Sequence, residues 1–276
     1  MSSRGRSAGS PTTSPRVDSY GLHAKANYAG KKIGVIYQND DYGKDYLYGF
    51  RAALGKKYAD ANVVAQEAVE PTATSSAAQI TRIKAAGAQI LAVFQLPTPT
   101  VRSIATAKAL GLNLDQIYMN NVAAIKPATD GMVAAAGAAY VNGLITIQYA
   151  KDPQDPEVGE RPRYEAATGR SSPSTAAART RTTRRCSTAW RRPMRSSRRC
   201  TRPAATSPRQ GLMNALLSLN TKSSYLLPGI VMKTSKTDHF VISQMQLARL
   251  NSTTKLYVPF GKLDRGSPAL EASPCM

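Results

Sequence analysis

The sequence predicts an α/β fold built on a doubly wound parallel sheet, interrupted by a basic insert that reads as disordered. Two observations carry the sheet. Short apolar runs bounded by polar residues recur between residues 20 and 150, and amphipathic stretches of helical period lie between them. Several of those stretches stop at a glycine, the residue best suited to leave a helix. A third observation carries the insert. Residues 159–209 hold 14 Arg, no Lys and two acids, a net +12, so the rest of a chain of formal charge +20 carries only +8.

The elements follow in order. Residues 1–19 are rich in Arg, Ser, Pro and Gly and read as a disordered tail. The first strand is expected over 32–37, followed by a loop from Gln38 in which Asp41 can cap the next helix. That helix places Tyr46, Leu47, Phe50, Ala53 and Leu54 on one face, and Gly55 ends it. A second strand over 62–68 leads to a helix carrying Ile80 and Ile83, capped by Ser75 or Ser76 and stopped by Gly87. The strand at 90–94 leads through Pro97 and Pro99 to a helix with Val101, Ile104 and Ala105 on one face, stopped by Gly111. A fourth strand is expected over 116–119. Strands alternating with helices in this rhythm form a parallel sheet covered on both faces. Such sheets bind ligands beyond the carboxyl ends of their strands, which points to residues 38–42, 95–98 and 120–122.

Composition narrows the function classes. A chain of 276 residues with 42% apolar content can bury a core, so wholesale disorder is excluded. Three Cys in a chain of this length do not make a disulfide-framed miniature scaffold. His23 and His239 lack Cys or His partners at zinc-ligand spacing, so no metal is expected. The most membrane-like stretch, 132–150, is broken by Asn142, Thr146 and Gln148, and the chain is read as soluble. No export signal is visible at its start. No phosphate loop, G-x-S-x-G elbow or G-x-G-x-x-G run follows the strands. Asp40 and Asp41 are adjacent carboxylates, but one is expected as a helix cap; Asp238 and His239 read as a surface loop. No catalytic residue, no cofactor and no enzyme activity are expected.

The basic block admits three readings: a nucleic-acid-binding arm, a solvated linker, or translation of the wrong frame of a G+C-rich gene. It lacks Leu, Ile and Val yet holds the sole Trp, Trp190, and two of the three Cys, Cys186 and Cys200. Arginine without lysine fits G+C-rich codons. Residues 187–210, read two bases later with such codons, can encode YGVAKAYAFVQALYKAGSDLTQA, an amphipathic helix running into Gly211 and Leu212. Codon choice is free, so this establishes compatibility, and the other two readings stay open.

The runs KKIGVIYQNDDYGKDYLYGFRAALG, VVAQEAVEPTATSSAAQITRIKAAGAQILAVFQLPTPTVRSIATAKALG and QIYMNNVAA are distinctive. So are LMNALLSLN, LLPGIVMKTSKTDHFVISQMQLARL and VPFGKL further on. Together they resemble the periplasmic substrate-binding proteins of branched-chain amino-acid ABC transporters, the leucine/isoleucine/valine-binding type with the type I periplasmic binding fold. The resemblance implies two α/β lobes that close on a small solute and then dock on a membrane permease. Other members of the fold are ligand sensors, a reading that fold alone leaves open. It also implies that residues 20–150 are the second lobe, 151–210 a crossover with the wrong-frame segment, 211–260 a returning segment of the ligand-binding domain, and 261–276 a tail. On this reading much of the first lobe is missing, and one lobe alone is expected to bind solute weakly or not at all.

Site residues follow from the resemblance. Tyr42 matches a tyrosine that contacts ligand after the first strand of the second lobe. Gln95 and Leu96 match a loop where the family presents an aromatic to the ligand. Asn121 matches a position that in leucine-type members is a glutamate pairing with the ligand's ammonium, an ion pair that an amide cannot make. The expected partners are an amino acid or analogue and an ABC permease, with nucleic acid bound only non-specifically. The resemblance implies a periplasmic location; without an export signal, expression as written is expected to leave the chain in the cytoplasm.

Overall fold

The apolar run Ile33–Gln38 forms β1 at the centre of the fold in the computed structural model, which describes residues 13–152 and 208–264. Most of the basic block and residues 1–12 and 265–276, including the parts of the two expected tails that they hold, lie outside the described residues. The described residues divide into two compact units, 13–149 with 243–264 and 150–152 with 208–242.

The first unit opens with helix α1 (Thr13–Asn27), then β1, α2 (Asp41–Leu54), α3 (Lys56–Asn62) and β2 (Val63–Val69). It continues with α4 (Ala77–Ala85), β3 (Ile90–Phe94), α5 (Pro97–Ala109) and β4 (Gln116–Met119). A 3₁₀ turn at Asn121–Ala123, helices α6 (Lys126–Ala136) and α7 (Ala138–Val141), and β5 (Ile145–Gln148) complete the run. The sheet order is β2-β1-β3-β4-β5, all parallel, extended by two antiparallel strands, β8 (Met245–Asn251) and β9 (Leu256–Asp264). Every residue of β3 is buried, as a strand covered on both faces requires.

Two apolar layers sandwich the sheet. On one face Tyr20 and Ala24 of α1, with Tyr46, Phe50 and Leu54 of α2, pack against Ile33, Val35, Ala92 and Phe94. On the other, Ile80, Ile83, Ile104, Ala107 and Met132 from α4, α5 and α6 pack against Ile36, Leu91, Val93 and Met119. Helices α1 and α2 approach so closely that a Cβ on Gly21 would sit 2.6 Å from the Cβ of Ala53.

The four expected strands are present, shifted by at most one residue, and Gly55, Gly87 and Gly111 follow their helices with φ of 81°, 74° and 68°. Three expectations are corrected. Helix α1 begins at Thr13, inside the stretch read as a tail, because burial of Tyr20 and Ala24 against α2 outweighs its Ser- and Pro-rich composition. The cap of α2 is Asp40, whose carboxylate accepts from the Gly43 N–H at 2.9 Å; Asp41 is the first helical residue. At α4, by contrast, the expected serines hold: Ser76 occupies the cap position, with its hydroxyl 3.0 Å from that of Ser103, and the Ser75 hydroxyl accepts from the Ala77 N–H at 3.2 Å. The C-terminal return does not stay together: 243–264 joins the sheet as a hairpin, and β9 runs past residue 260 into the expected second tail, while 211–242 belongs to the other unit.

That second unit contains helix α8 (Pro208–Leu216) and a two-stranded antiparallel ladder of β6 (Asn220–Thr221) and β7 (Met232–Lys233). A bridge pairs Ala150 with Leu226. No described helix is long and apolar enough to cross a membrane.

Candidate functional site

The chain leaves β1 for the neighbouring β2 and returns on the far side to β3, so the winding reverses between β1 and β3. The carboxyl ends that flank this point carry Gln38 to Tyr42, Gln95 to Thr98 and Asn120 to Val122. Each loop is braced by its own polar side chains.

After β1, the Gln38 side-chain amide donates to Asp40, and its oxygen accepts from the Leu96 N–H at 3.4 Å. With both Asp40 oxygens engaged, the turn into α2 is held tightly. Only glycine fits at position 43, because a Cβ there would lie 2.1 Å from the Gln38 carbonyl oxygen. Tyr42 stands on that turn, half-buried, with its ring 5.0 Å from that of Tyr46 one helical turn later. Tyr46 is fully buried, stacks at 5.1 Å on Phe94, and donates its hydroxyl to the Asn121 side-chain oxygen at 3.1 Å. Tyr42 and Asn121, distant in sequence, are thereby joined through one buried phenol.

After β3, Gln95 is only 1% exposed. Its side-chain oxygen accepts from the Ser103 hydroxyl at 2.7 Å, and its carbonyl accepts from Thr100 and from the Asn120 amide. Gln95 therefore braces the loop from beneath, whereas Leu96 beside it is 44% exposed. Asn120 is fully buried and accepts from the Ala123 N–H at 3.0 Å, which fixes the 3₁₀ turn that carries Asn121. The structure thus gathers Tyr42, Leu96 and Asn121 at one end of the sheet, with Gln95 beneath them. Sequence reasoning placed Gln38, Tyr46 and Asn120 in these elements without assigning them a part in the site. The i, i+4 spacing of Tyr46 from Tyr42, and an amide at or just past the end of each of three strands, were the available signals.

Some charged groups on these loops and on α6 have partners. Glu70 accepts from Asn39, and Lys126 lies 2.7 Å from Asp130, which also meets Lys255 at 3.2 Å. Asp238 and His239 sit in a self-contained turn, where Asp238 accepts from the Phe240 N–H at 2.9 Å and His239 contacts the Lys236 carbonyl at 3.1 Å. Among the described residues no three metal-ligating side chains gather. A cavity of about 310 Å³ opens between α1, β8 and β9, lined by Ser19, Leu22, His23, Leu247, Lys262 and Asp264.

A family model described as periplasmic binding protein matches residues 7–255, nearly the whole chain. The chain belongs to the periplasmic binding protein family. That family is of the solute-binding receptor type, and the mostly parallel seven-stranded sheet agrees with its type I fold. Among solved structures, this periplasmic binding protein is similar to a branched-chain amino-acid ABC transporter from Thermus thermophilus with bound valine, at 14% identity and a TM-score of 0.70, over 93% of this chain and 66% of that one. It is also similar to an extracellular ligand-binding receptor from Rhodopseudomonas palustris, at 20% identity and a TM-score of 0.59, over 91% of this chain and 69% of that one. A periplasmic binding protein from Burkholderia mallei matches at 16% identity and a TM-score of 0.64, over 92% of this chain and 63% of that one. The chain therefore spans 63–69% of the length of these structures, and at such identities the likeness is one of fold. No curated protein matches it.

Proposed function

We propose that this chain is the solute-binding receptor component of a branched-chain amino-acid type ABC importer, taking amino acids or related small amides. The observation that carries the reading is the meeting of Tyr42, Leu96 and Asn121 at the winding reversal of the sheet. There an aromatic ring, an amide and an aliphatic side chain stand on loops braced by buried polar side chains, as the lining of a pre-formed small-molecule site requires. The structural neighbour with bound valine supports a small amino-acid-like solute. In this reading Tyr42, Leu96 and Asn121 touch the solute and Gln95 positions Leu96. The loaded receptor works in the periplasm, delivers to a membrane permease, and performs binding without chemistry.

Saturation-transfer NMR on the full chain with L-valine, L-leucine and isobutyramide tests this. Transfer to at least one of them, reduced by Tyr42→Ala, is expected. Transfer to none, with the chain folded by circular dichroism, sinks the reading. We also read residues 159–209 as a wrong-frame translation. Recovery of apolar helical sequence in another frame of the nucleotide sequence is the expected result; stop codons in both other frames would restore a native basic arm.

A further inference from the structure

We propose that Ser103, buried on α5, is a positioning residue that decides which of two neighbours, Gln95 or Leu96, is presented at the solute-facing end of the sheet. The inference rests on the receptor reading above, since it assigns the apolar contact of that site to the control of a residue that never touches solute.

Side chains of a strand alternate between the two faces of its sheet. Along β3, Ile90, Ala92 and Phe94 join the layer of α1 and α2, while Leu91 and Val93 join that of α4, α5 and α6. One step past the strand, the same alternation sends Gln95 toward α4 and α5, into an apolar layer where an amide is costly unless a polar group meets it. Two serines meet it. Ser103 on the buried face of α5 and Ser76 at the start of α4 are both buried, and their hydroxyls lie 3.0 Å apart. A hydroxyl has one proton to give. Ser103 gives its own to the Gln95 side-chain oxygen at 2.7 Å, so its oxygen receives that of Ser76.

The result inverts the usual preference, with an amide buried and the aliphatic Leu96 beside it nearly half exposed. Thr100 and the Asn120 amide bond the Gln95 main-chain carbonyl, so neither replaces Ser103 at the side chain. Without the Ser103 hydroxyl, the Gln95 oxygen loses the partner that keeps it inside. The favoured arrangement then turns Gln95 out to water and Leu96 into the apolar layer, which removes the aliphatic contact from the site.

Leucine-methyl NMR of the full chain with a soluble paramagnetic relaxation agent tests this without any solute, the Leu96 signals being assigned by their absence in Leu96→Met. In the native chain these methyls relax as exposed groups. Ser103→Ala is expected to bring them down to the level of a buried leucine such as Leu91. Ser103→Ala with Gln95→Met is expected to restore them, because removing both partners of a hydrogen bond leaves neither unsatisfied. Ser76→Ala is expected to leave them as in the native chain, since Ser103 keeps its bond to Gln95. Affinity for L-valine or L-leucine is expected to follow the methyls, falling about tenfold in Ser103→Ala, the scale of one lost apolar contact, and recovering in the double variant.

Leu96 methyls as accessible in a folded Ser103→Ala chain as in the native one overturn the proposal. So does equal shielding in Ser76→Ala, which marks a general loosening, and so does a double variant in which the methyls stay shielded. Where Ser103→Ala does not fold, recovery of the fold in the double variant supports the pairing and continued unfolding overturns it. A native chain that binds none of the solutes named above removes the receptor reading alone, and the methyl signals still decide what Ser103 holds in place.

Discussion

The hydroxyl of Tyr20 donates to the carbonyl oxygen of Met119 at 2.7 Å, and the Tyr20 phenol oxygen accepts from the Ile147 N–H at 3.1 Å. Tyr20 is fully buried on α1, and its phenol stands between β4 and β5, where backbone pairing is limited to Tyr118 with Ile145. One side chain thus completes the ladder just before the turn that carries Asn121. Tyr20→Phe leaves a buried carbonyl and a buried N–H without this partner, at an expected cost of about 1–3 kcal/mol. A shift of the urea midpoint to lower concentration checks it; an unchanged midpoint would show that other groups satisfy both.

Gly43→Ala places a Cβ against backbone, 2.1 Å from the Gln38 carbonyl oxygen. Backbone cannot rotate out of the way as a side chain can, so the turn after β1 must open and carry Tyr42 with it. The expected result is a loss of about 1–3 kcal/mol of stability together with weaker solute binding. Retention of both would mean the turn has slack that its hydrogen bonds do not suggest.

Asp40→Ala removes the carboxylate that caps α2 and anchors Gln38. The cap alone is worth about 1 kcal/mol. Chemical denaturation should show at least that loss, with Asp40→Asn retaining part of it through its amide oxygen.

Tyr46→Phe separates positioning from packing. The ring still fills the layer beside Phe94, but Asn121 loses the 3.1 Å hydrogen bond from the phenol. Stability should drop by about 0.5–1.5 kcal/mol, while solute affinity falls several-fold, measured on the same preparation. Equal affinity would place Asn121 outside the binding surface.

His23 makes stability pH-dependent. Its Nδ1 lies 2.8 Å from the Tyr118 hydroxyl, its ring edges against Phe260 at 5.7 Å and Tyr28 lies 6.2 Å away. Burial first, and then the nearby Arg249 charge, hold its pKa below the ordinary 6.5. The folded state therefore binds a proton less readily than the unfolded chain, so stability is fully present above about pH 6.5 and is lost as pH falls through that value toward the folded pKa. Urea midpoints measured from pH 7.5 to 5 should decline, and His23→Gln should flatten the part of the decline that begins near 6.5.

Sequence reading reached furthest where the governing interactions are local. The strand of Ile90 to Phe94 and the stops at Gly55, Gly87 and Gly111 follow from neighbours within a few residues. It reached less far at the site. Tyr42, Leu96 and Asn121 could be named from their place after strands, but Gln95 beside Leu96 turns inward to Ser103, and nothing within its own loop distinguishes the two. Nor does the chain near Tyr46 reveal that its hydroxyl ends on Asn121.

Patterning along the chain was therefore enough to establish an alternating α/β architecture and the ends of its strands where a ligand would sit, because periodicity and turn chemistry act over a few residues. The hairpin of β8 and β9 on β5, the start of α1 at Thr13 and the use of Asp40 in place of Asp41 as the cap came from packing. Each depends on surfaces brought together from far apart in the chain: which edge of a sheet lacks a neighbour, which face of a helix meets an apolar layer, and which of two adjacent carboxylates the backbone turns toward an open N–H.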